Sequence, residues 1–191
     1  DLGYDHLDTA NIYGKGANEE LLGGAVMHRR DEFLLASKTG IIVDGPRRGI
    51  DCSPEAISSS LDASLKRLGT DYIDLYQVHS FDYTTPLEET LRALDDLVRQ
   101  GKVRYIGLSN FAGWQIAKAD GLARQLGTER FASAQSYYSL AGRELERDVI
   151  PAVRDLGLVT FIWSPLASGF LSGKYTRNGE AAGRRAKFEF P

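Results

Sequence analysis

The feature that most constrains this chain is a repeated alternation between two hydrophobic periods. Six short runs rich in β-branched and aromatic residues occur at Tyr4–Asp8, Phe33–Lys38, Tyr72–His79, Val103–Asn110, Phe131–Ser139 and Leu158–Ser164. Stretches with helical spacing separate them. Strand followed by helix, many times over, gives parallel strands covered by helices. The runs end near residues 8, 38, 79, 110, 137 and 163. A spacing of roughly 25–40 residues is one strand–helix unit with short loops.

Local signals support the helices. Ser53 can cap, Pro54 stands at the first helical position, and Glu55 suits the positive helix end. Ile57, Leu61, Leu65 and Leu68 then share one face, and Gly69 stops the helix. The design repeats with Thr85 as cap, Pro86 opening, Leu87, Leu91, Leu94 and Val98 on one face, and Gly101 ending it. The stretches 113–126 and 147–156 carry weaker patterns, and Pro151 must lie in a first turn or kink its helix. The polar stretch from Thr176 to Pro191 reads as loop.

Composition narrows the class. A length of 191 residues suits one domain, 1–191, and is short for two. A net charge of −3 offers no basic excess to neutralise phosphates, which argues against a general nucleic-acid binder. No apolar run approaches the ~20 residues that span a bilayer. Cys52 is the single cysteine, so no intrachain disulfide forms and a cytoplasmic setting fits. Although Cys52 adjoins a helix start, no catalytic partner stands near it in sequence. His6, His28 and His79 show no ligand spacing, so no metal is expected. The chain opens on Asp1 and its only methionine is Met27, which reads as a piece of a longer protein.

Six strand–helix units fit an open doubly wound sheet or part of a (β/α)8 TIM barrel. The open dinucleotide-binding sheet usually carries G-x-G-x-x-G after its first strand, and that motif does not occur here. Instead each run ends in a polar or aromatic group: Asp8, Lys38, His79, Ser109-Asn110, Gln135 and Trp163. In a barrel the C-terminal strand ends meet on one rim, where active sites are built. The α/β barrel is therefore the expected fold. That much specifies a rim site and not a reaction.

Asp8, Tyr13, Lys38 and His79 are the residues with chemistry to offer. A phenol has a pKa near ~10 in water and is a poor acid at neutral pH. An adjacent ammonium lowers it, and a carboxylate holds that ammonium charged and in place. A histidine at the next strand end can bond a substrate oxygen. Together they suit carbonyl reduction once a hydride donor is present. A lysine at a strand end equally suits Schiff-base chemistry in another barrel enzyme. Taken singly, each residue also has a plain structural reading. His79 can be a satisfied core residue, Lys38 a rim charge, Asp8 a helix cap and Tyr13 a packing residue. Ser109 and Asn110 can end a strand, Trp163 and Trp114 can pack, and Arg47-Arg48 and Arg184-Arg185 read as solvated loop charges.

The motifs go further. Gly3-Tyr4-Asp5-His6-Leu7-Asp8-Thr9-Ala10 with Tyr13-Gly14 and Glu19-Glu20-Leu21-Leu22-Gly23 resembles the first signature of the aldo-keto reductases. Leu34-Leu35-Ala36-Ser37-Lys38 resembles the strand with that family's lysine. The run from Leu68 to His79 is similar to the stretch that ends in its histidine. Gly101–Asn110 and Trp163-Ser164-Pro165-Leu166 resemble two further motifs. The resemblance runs over the whole chain, with five motifs in order.

It implies a cytoplasmic enzyme that reduces aldehyde or ketone carbonyls with NADP(H), NAD(H) remaining open. Tyr13 is then the acid–base of a tetrad completed by Asp8, Lys38 and His79. Ser109, Asn110 and Gln135 match residues that hold the nicotinamide carboxamide, and Trp163 matches the aromatic that stacks on the ring. Ser164, Leu166, Ser168 and Gly169 match the loop beside the pyrophosphate, with Lys174 as a basic contact and Arg185 as a further phosphate contact. The run from Trp163 to Tyr175 resembles bacterial reductases and the potassium-channel β-subunits. The latter bring the alternative of a cofactor-binding regulatory subunit, against which the retained His79 speaks. By the same resemblance the six runs are the family's second to seventh strands. Its first and eighth strands lie outside the chain, which also raises the plainest alternative, an inactive fragment.

Overall fold

A computed structural model describes residues 3–44 and 47–175. Six parallel strands alternate with helices: β1 (His6–Asp8), α1 (Ala17–Val26), β2 (Leu34–Thr39), α2 (Pro54–Leu68), β5 (Ile73–Val78), α3 (Leu87–Arg99), β6 (Val103–Ser109), α4 (Gly113–Leu126), β7 (Ser133–Tyr137), α5 (Val149–Leu156) and β8 (Val159–Trp163). Between β2 and α2 stands an antiparallel hairpin, β3 (Ile41–Asp44) and β4 (Arg47–Ile50). The large sheet runs β1-β2-β5-β6-β7-β8. Neighbours in sequence are neighbours in space, as in a barrel and unlike a doubly wound sheet.

The sheet is curled. Gln135 on β7 donates to Asp8 on β1 at 3.3 Å, although β2, β5 and β6 lie between them in the sheet. The rings of His6 on β1 and Phe161 on β8 meet edge to face at 5.0 Å. Gly107 on β6 makes room for this inner face. A Cβ there would lie 2.6 Å from Ser133 Oγ and 3.0 Å from Gln77 Cγ. The architecture is a partial (β/α)8 barrel.

The main core lies between sheet and helices. Every residue of β5 is buried, and Leu35, Ile73, Ile106 and Leu108 meet Ile57, Leu61, Leu68, Leu91, Leu94 and Ile116 there. Burying a Leu or Ile side chain contributes about 1.5–3 kcal/mol, so this layer dominates the fold's stability. Ser53 caps α2 by accepting from the Ala56 N–H at 3.4 Å, and Gly69 ends it in the left-handed region at φ 70°. Pro151 is the third residue of α5, inside its first turn.

The structure differs from sequence expectation in four places. Residues 41–50 form a hairpin, so Arg48 stands on a strand opposite Val43 and is not a loop charge. The run 41–43 is too short for its period to be read. Helix α3 begins at Leu87, one residue later than expected, and Pro86 occupies the cap position. The reason is that the Thr85 hydroxyl donates to Asp82 at 2.7 Å and caps nothing. Trp114 is 58% exposed and meets Phe81 as a tilted ring at 5.9 Å, so it packs at the surface and is not buried. The strands are shorter than the apolar runs, β1 covering only His6–Asp8. The stretch 176–191, with Arg184 and Arg185, lies outside the described residues.

Candidate active site

The C-terminal ends of β1, β2 and β5 bring three of the predicted groups together. Lys38, wholly buried at the end of β2, donates to Asp8 Oδ2 at 2.7 Å and to the Thr9 carbonyl at 2.8 Å. A buried ammonium is tolerated only with such partners. Burial lowers the Lys38 pKa, and the Asp8 carboxylate opposes that shift.

Asp8 also accepts from Gln77 on β5 at 3.3 Å and from Gln135 on β7 at 3.3 Å. Sequence reading missed Gln77. Its signal was available: Gln77 lies two residues before His79 and so shares its face of the strand.

Tyr13 stands on a tight turn just after β1. Its backbone N–H bonds the Ala10 carbonyl at 3.1 Å. Gly14, Lys15 and Gly16 then all take left-handed φ, at 60°, 58° and 97°, which folds the turn back on the rim. The Tyr13 ring meets the His79 ring edge to face at 5.9 Å. Lys38 Nζ lies 5.1 Å from the centre of the Tyr13 ring.

The acidity of this phenol departs from expectation. Burial, with the Asp8 carboxylate adding to it, raises the Tyr13 pKa above the ordinary phenol value. The ammonium of Lys38 is spent on Asp8 and Thr9. Tyr13 therefore holds its proton throughout the neutral range. His79 moves the other way. Burial, then the charge of Lys38, pushes its imidazole down to about 4. It is a neutral ring at pH 7, and its buried Nδ1 has no hydrogen-bond partner among the described residues.

Tyr13 and His79 form one wall of a cavity of about 510 Å³. Ser109, Asn110, Gln135, Trp163, Ser164 and Ser168 form the rest. Asn110 is held in the left-handed region at φ 58°. Its amide donates to the His79 carbonyl at 3.0 Å and to Ser109 Oγ at 3.1 Å. Its oxygen accepts from the Trp163 indole at 3.0 Å. Trp163 thus binds Asn110 across the cavity, with its ring also 5.1 Å from Tyr137.

The loop after β8 continues the wall. Ser164, Ala167, Ser168 and Gly169 all have positive φ, and Ser164 Oγ accepts from the Ser168 N–H at 2.9 Å. Leu166, Gly169 and Lys174 lie on or beside this loop and do not line the cavity. Leu166 is exposed, and its carbonyl accepts from Gly169 and Leu171. A Cβ on Gly169 would lie 3.0 Å from Lys174 Nζ, so the ammonium rests against this loop. A cation resting against a left-handed turn suits an anion. Cys52 has no part in the site; burial pushes its thiol up to about 12.

Fold and site together define a barrel protein with a rim cavity built on a phenol and a neutral imidazole, beside a buried ammonium paired with a carboxylate. The Aldo/keto reductase family description matches residues 1–189, and the chain belongs to that family. It is 43% identical over 198 residues to the uncharacterized oxidoreductase YrpG of Bacillus subtilis, covering 98% of this chain and 60% of YrpG. It is 36% identical over 176 residues to the mouse aflatoxin B1 aldehyde reductase member 2, covering 91% of this chain and 47% of that protein. Among solved structures it is similar to a glycerol dehydrogenase of Gluconobacter oxydans, with a TM-score of 0.84, 31% identity, and coverage of 94% of this chain and 55% of that one. The chain thus spans about half the length of the relatives it matches.

Proposed function

We propose that this chain carries the catalytic rim of a cytoplasmic reductase that turns aldehyde or ketone carbonyls into alcohols with NADPH. The observation that carries the reading is the cluster itself: a protonated phenol beside a neutral imidazole, backed by Lys38 on Asp8.

The residues fit a nicotinamide nucleotide. The Ser109 hydroxyl proton and the amide of Gln135 offer polar partners for a carboxamide, and Trp163 offers an aromatic face. The strained turn at 164–169 with Lys174 suits a pyrophosphate. Bound there, the nicotinamide supplies the hydride that the carbonyl carbon accepts.

The chain's own residues do the rest. His79, neutral, donates a hydrogen bond that orients the carbonyl oxygen. Tyr13 gives that oxygen its proton as the carbon is reduced. Lys38, 5.1 Å from the Tyr13 ring centre, keeps a positive charge beside the phenolate left behind, and Asp8 keeps Lys38 charged and still. Water then restores the Tyr13 proton. NADPH rather than NADH is the family's habit. No helix among the described residues is long and apolar enough to cross a membrane, and the single buried cysteine suits a reducing compartment.

The test is Tyr13→Phe in the full chain. Turnover falls by about two to four orders of magnitude, as expected for loss of a positioned proton donor, while NADPH still quenches tryptophan fluorescence. Near-normal turnover in the variant overturns the reading. Borohydride reduction with substrate present leaves no adduct on Lys38; an adduct there would mean Schiff-base chemistry instead.

A further inference from the structure

A second cavity, about 830 Å³, opens beside the rim site and has no role in the chemistry above. One wall is the β3–β4 hairpin, through Ile41, Val43 and Ile50; the other is the loop after β5, through Phe81 and Tyr83. It begins at the reacting groups. Ile12 and Gly14 flank Tyr13, Ser80 follows His79, and all three line it. Its walls are mainly apolar, and its volume suits the body of a small organic molecule. Tyr83 is 79% exposed, so one rim of the cavity carries an uncovered aromatic ring.

The charges decide what that molecule carries. Lys15 and Arg48 line the cavity. Neither has a carboxylate partner among the described residues, whose ion pairs engage other cations. The acidic group in the wall, Asp82, is already committed. It accepts from the Cys52 and Thr84 N–H groups and from the Thr84 and Thr85 hydroxyls, all at 2.7–2.8 Å. Lys15 also sits at φ 58°, a region costly for a residue with a Cβ. That turn carries Lys15 at the cavity, with no carboxylate partner among the described residues.

We propose that the substrate is a carbonyl compound with an apolar body and a carboxylate at its far end, the body lying between hairpin and loop and the carboxylate meeting Arg48 and Lys15. The proposal rests on the reductase reading for the position of the carbonyl at Tyr13 and His79. The two cations that line the cavity are a separate observation.

The experiment compares 4-carboxybenzaldehyde and the longer 4-formylphenoxyacetic acid, each against its methyl ester, in wild type, Arg48→Gln and Lys15→Gln. Thermal unfolding checks that each variant folds. Wild type prefers at least one acid over its ester by about tenfold in kcat/KM, a preference worth one or two charge-assisted hydrogen bonds at a partly exposed site. Each variant lowers that ratio severalfold, and raised salt lowers it in wild type. Equal rates for acids and esters, or a ratio unmoved in both variants, overturns the proposal. Calorimetric titration with the corresponding alcohols is the second readout. If no aldehyde is reduced but the acidic alcohols bind more tightly than their esters and Arg48→Gln removes the difference, the anion site stands and the reductase reading falls. Equal binding of acidic alcohols and esters overturns the anion site whatever the turnover.

Discussion

Tyr13 and His79 are neighbours whose pKa values are driven in opposite directions by burial, one up and the other down to about 4. Both shifts favour the neutral form, and both have consequences that can be measured. Tyr13 keeps its proton beyond the ordinary phenol range, so carbonyl reduction stays level across neutral pH and loses rate only in strong alkali. Alcohol oxidation, which needs the phenolate, gains rate as pH rises; pH–rate profiles in both directions check this, and an acidic limb near neutrality in reduction would contradict it.

For His79 the stability effect has a definite sign. Its folded value lies below the unfolded value near ~6.5, so between the two the unfolded chain binds more protons. Stability contributed by the neutral ring is present above pH ~6.5 and is lost as pH falls toward 4, by on the order of 1–3 kcal/mol. Urea unfolding across that window shows the slope, and His79→Gln removes it.

At the scale of elements, β6 is fitted around an absent side chain. Gly107 has backbone angles that any residue could take, but a Cβ would drive into Ser133 and Gln77. Gly107→Ala is expected to cost about 1–3 kcal/mol by overpacking, read as a lowered urea midpoint. Because Gln77 reaches Asp8, the same change also disturbs the rim.

Legibility at this scale followed the strength of local signals. Helix α2 carries its cap, its opening proline, its apolar stripe and its stop, and all four were readable. Helix α3 was readable except at its start, where Asp82 diverts the Thr85 hydroxyl that would have capped it. The hairpin was not readable, since four-residue strands leave no period to detect and only their pairing defines them. At the site, Asp8, Lys38 and His79 were legible as polar groups closing apolar runs. The self-contained bonding of Asn110 with Trp163, and the turning of Lys38 away from lowering the Tyr13 pKa, depend on distances between strands far apart in sequence.

At the scale of the whole molecule, topology was legible because each strand–helix unit places the next strand beside the last. Curvature was not, because it arises from inner-face contacts such as Gln135 with Asp8. The described sheet has β1 and β8 at its edges and β5 and β6 at its centre. Amide hydrogen exchange is therefore expected to be slowest in β5, which is buried throughout and bonded on both sides, and at least about tenfold faster in β1 and β8. Uniform protection across the six strands would mean that the edges are covered in solution.

The three-way bonding of Asp8 has one more consequence. Its two oxygens receive Lys38 from β2, Gln77 from β5 and Gln135 from β7. The atoms that keep the ammonium in register therefore also measure how tightly the sheet is rolled. In the proposed reaction, inheritance cannot alter one without the other. A substitution that relaxes the roll detunes the proton donor at once, so selection for turnover also preserves the shape of the sheet.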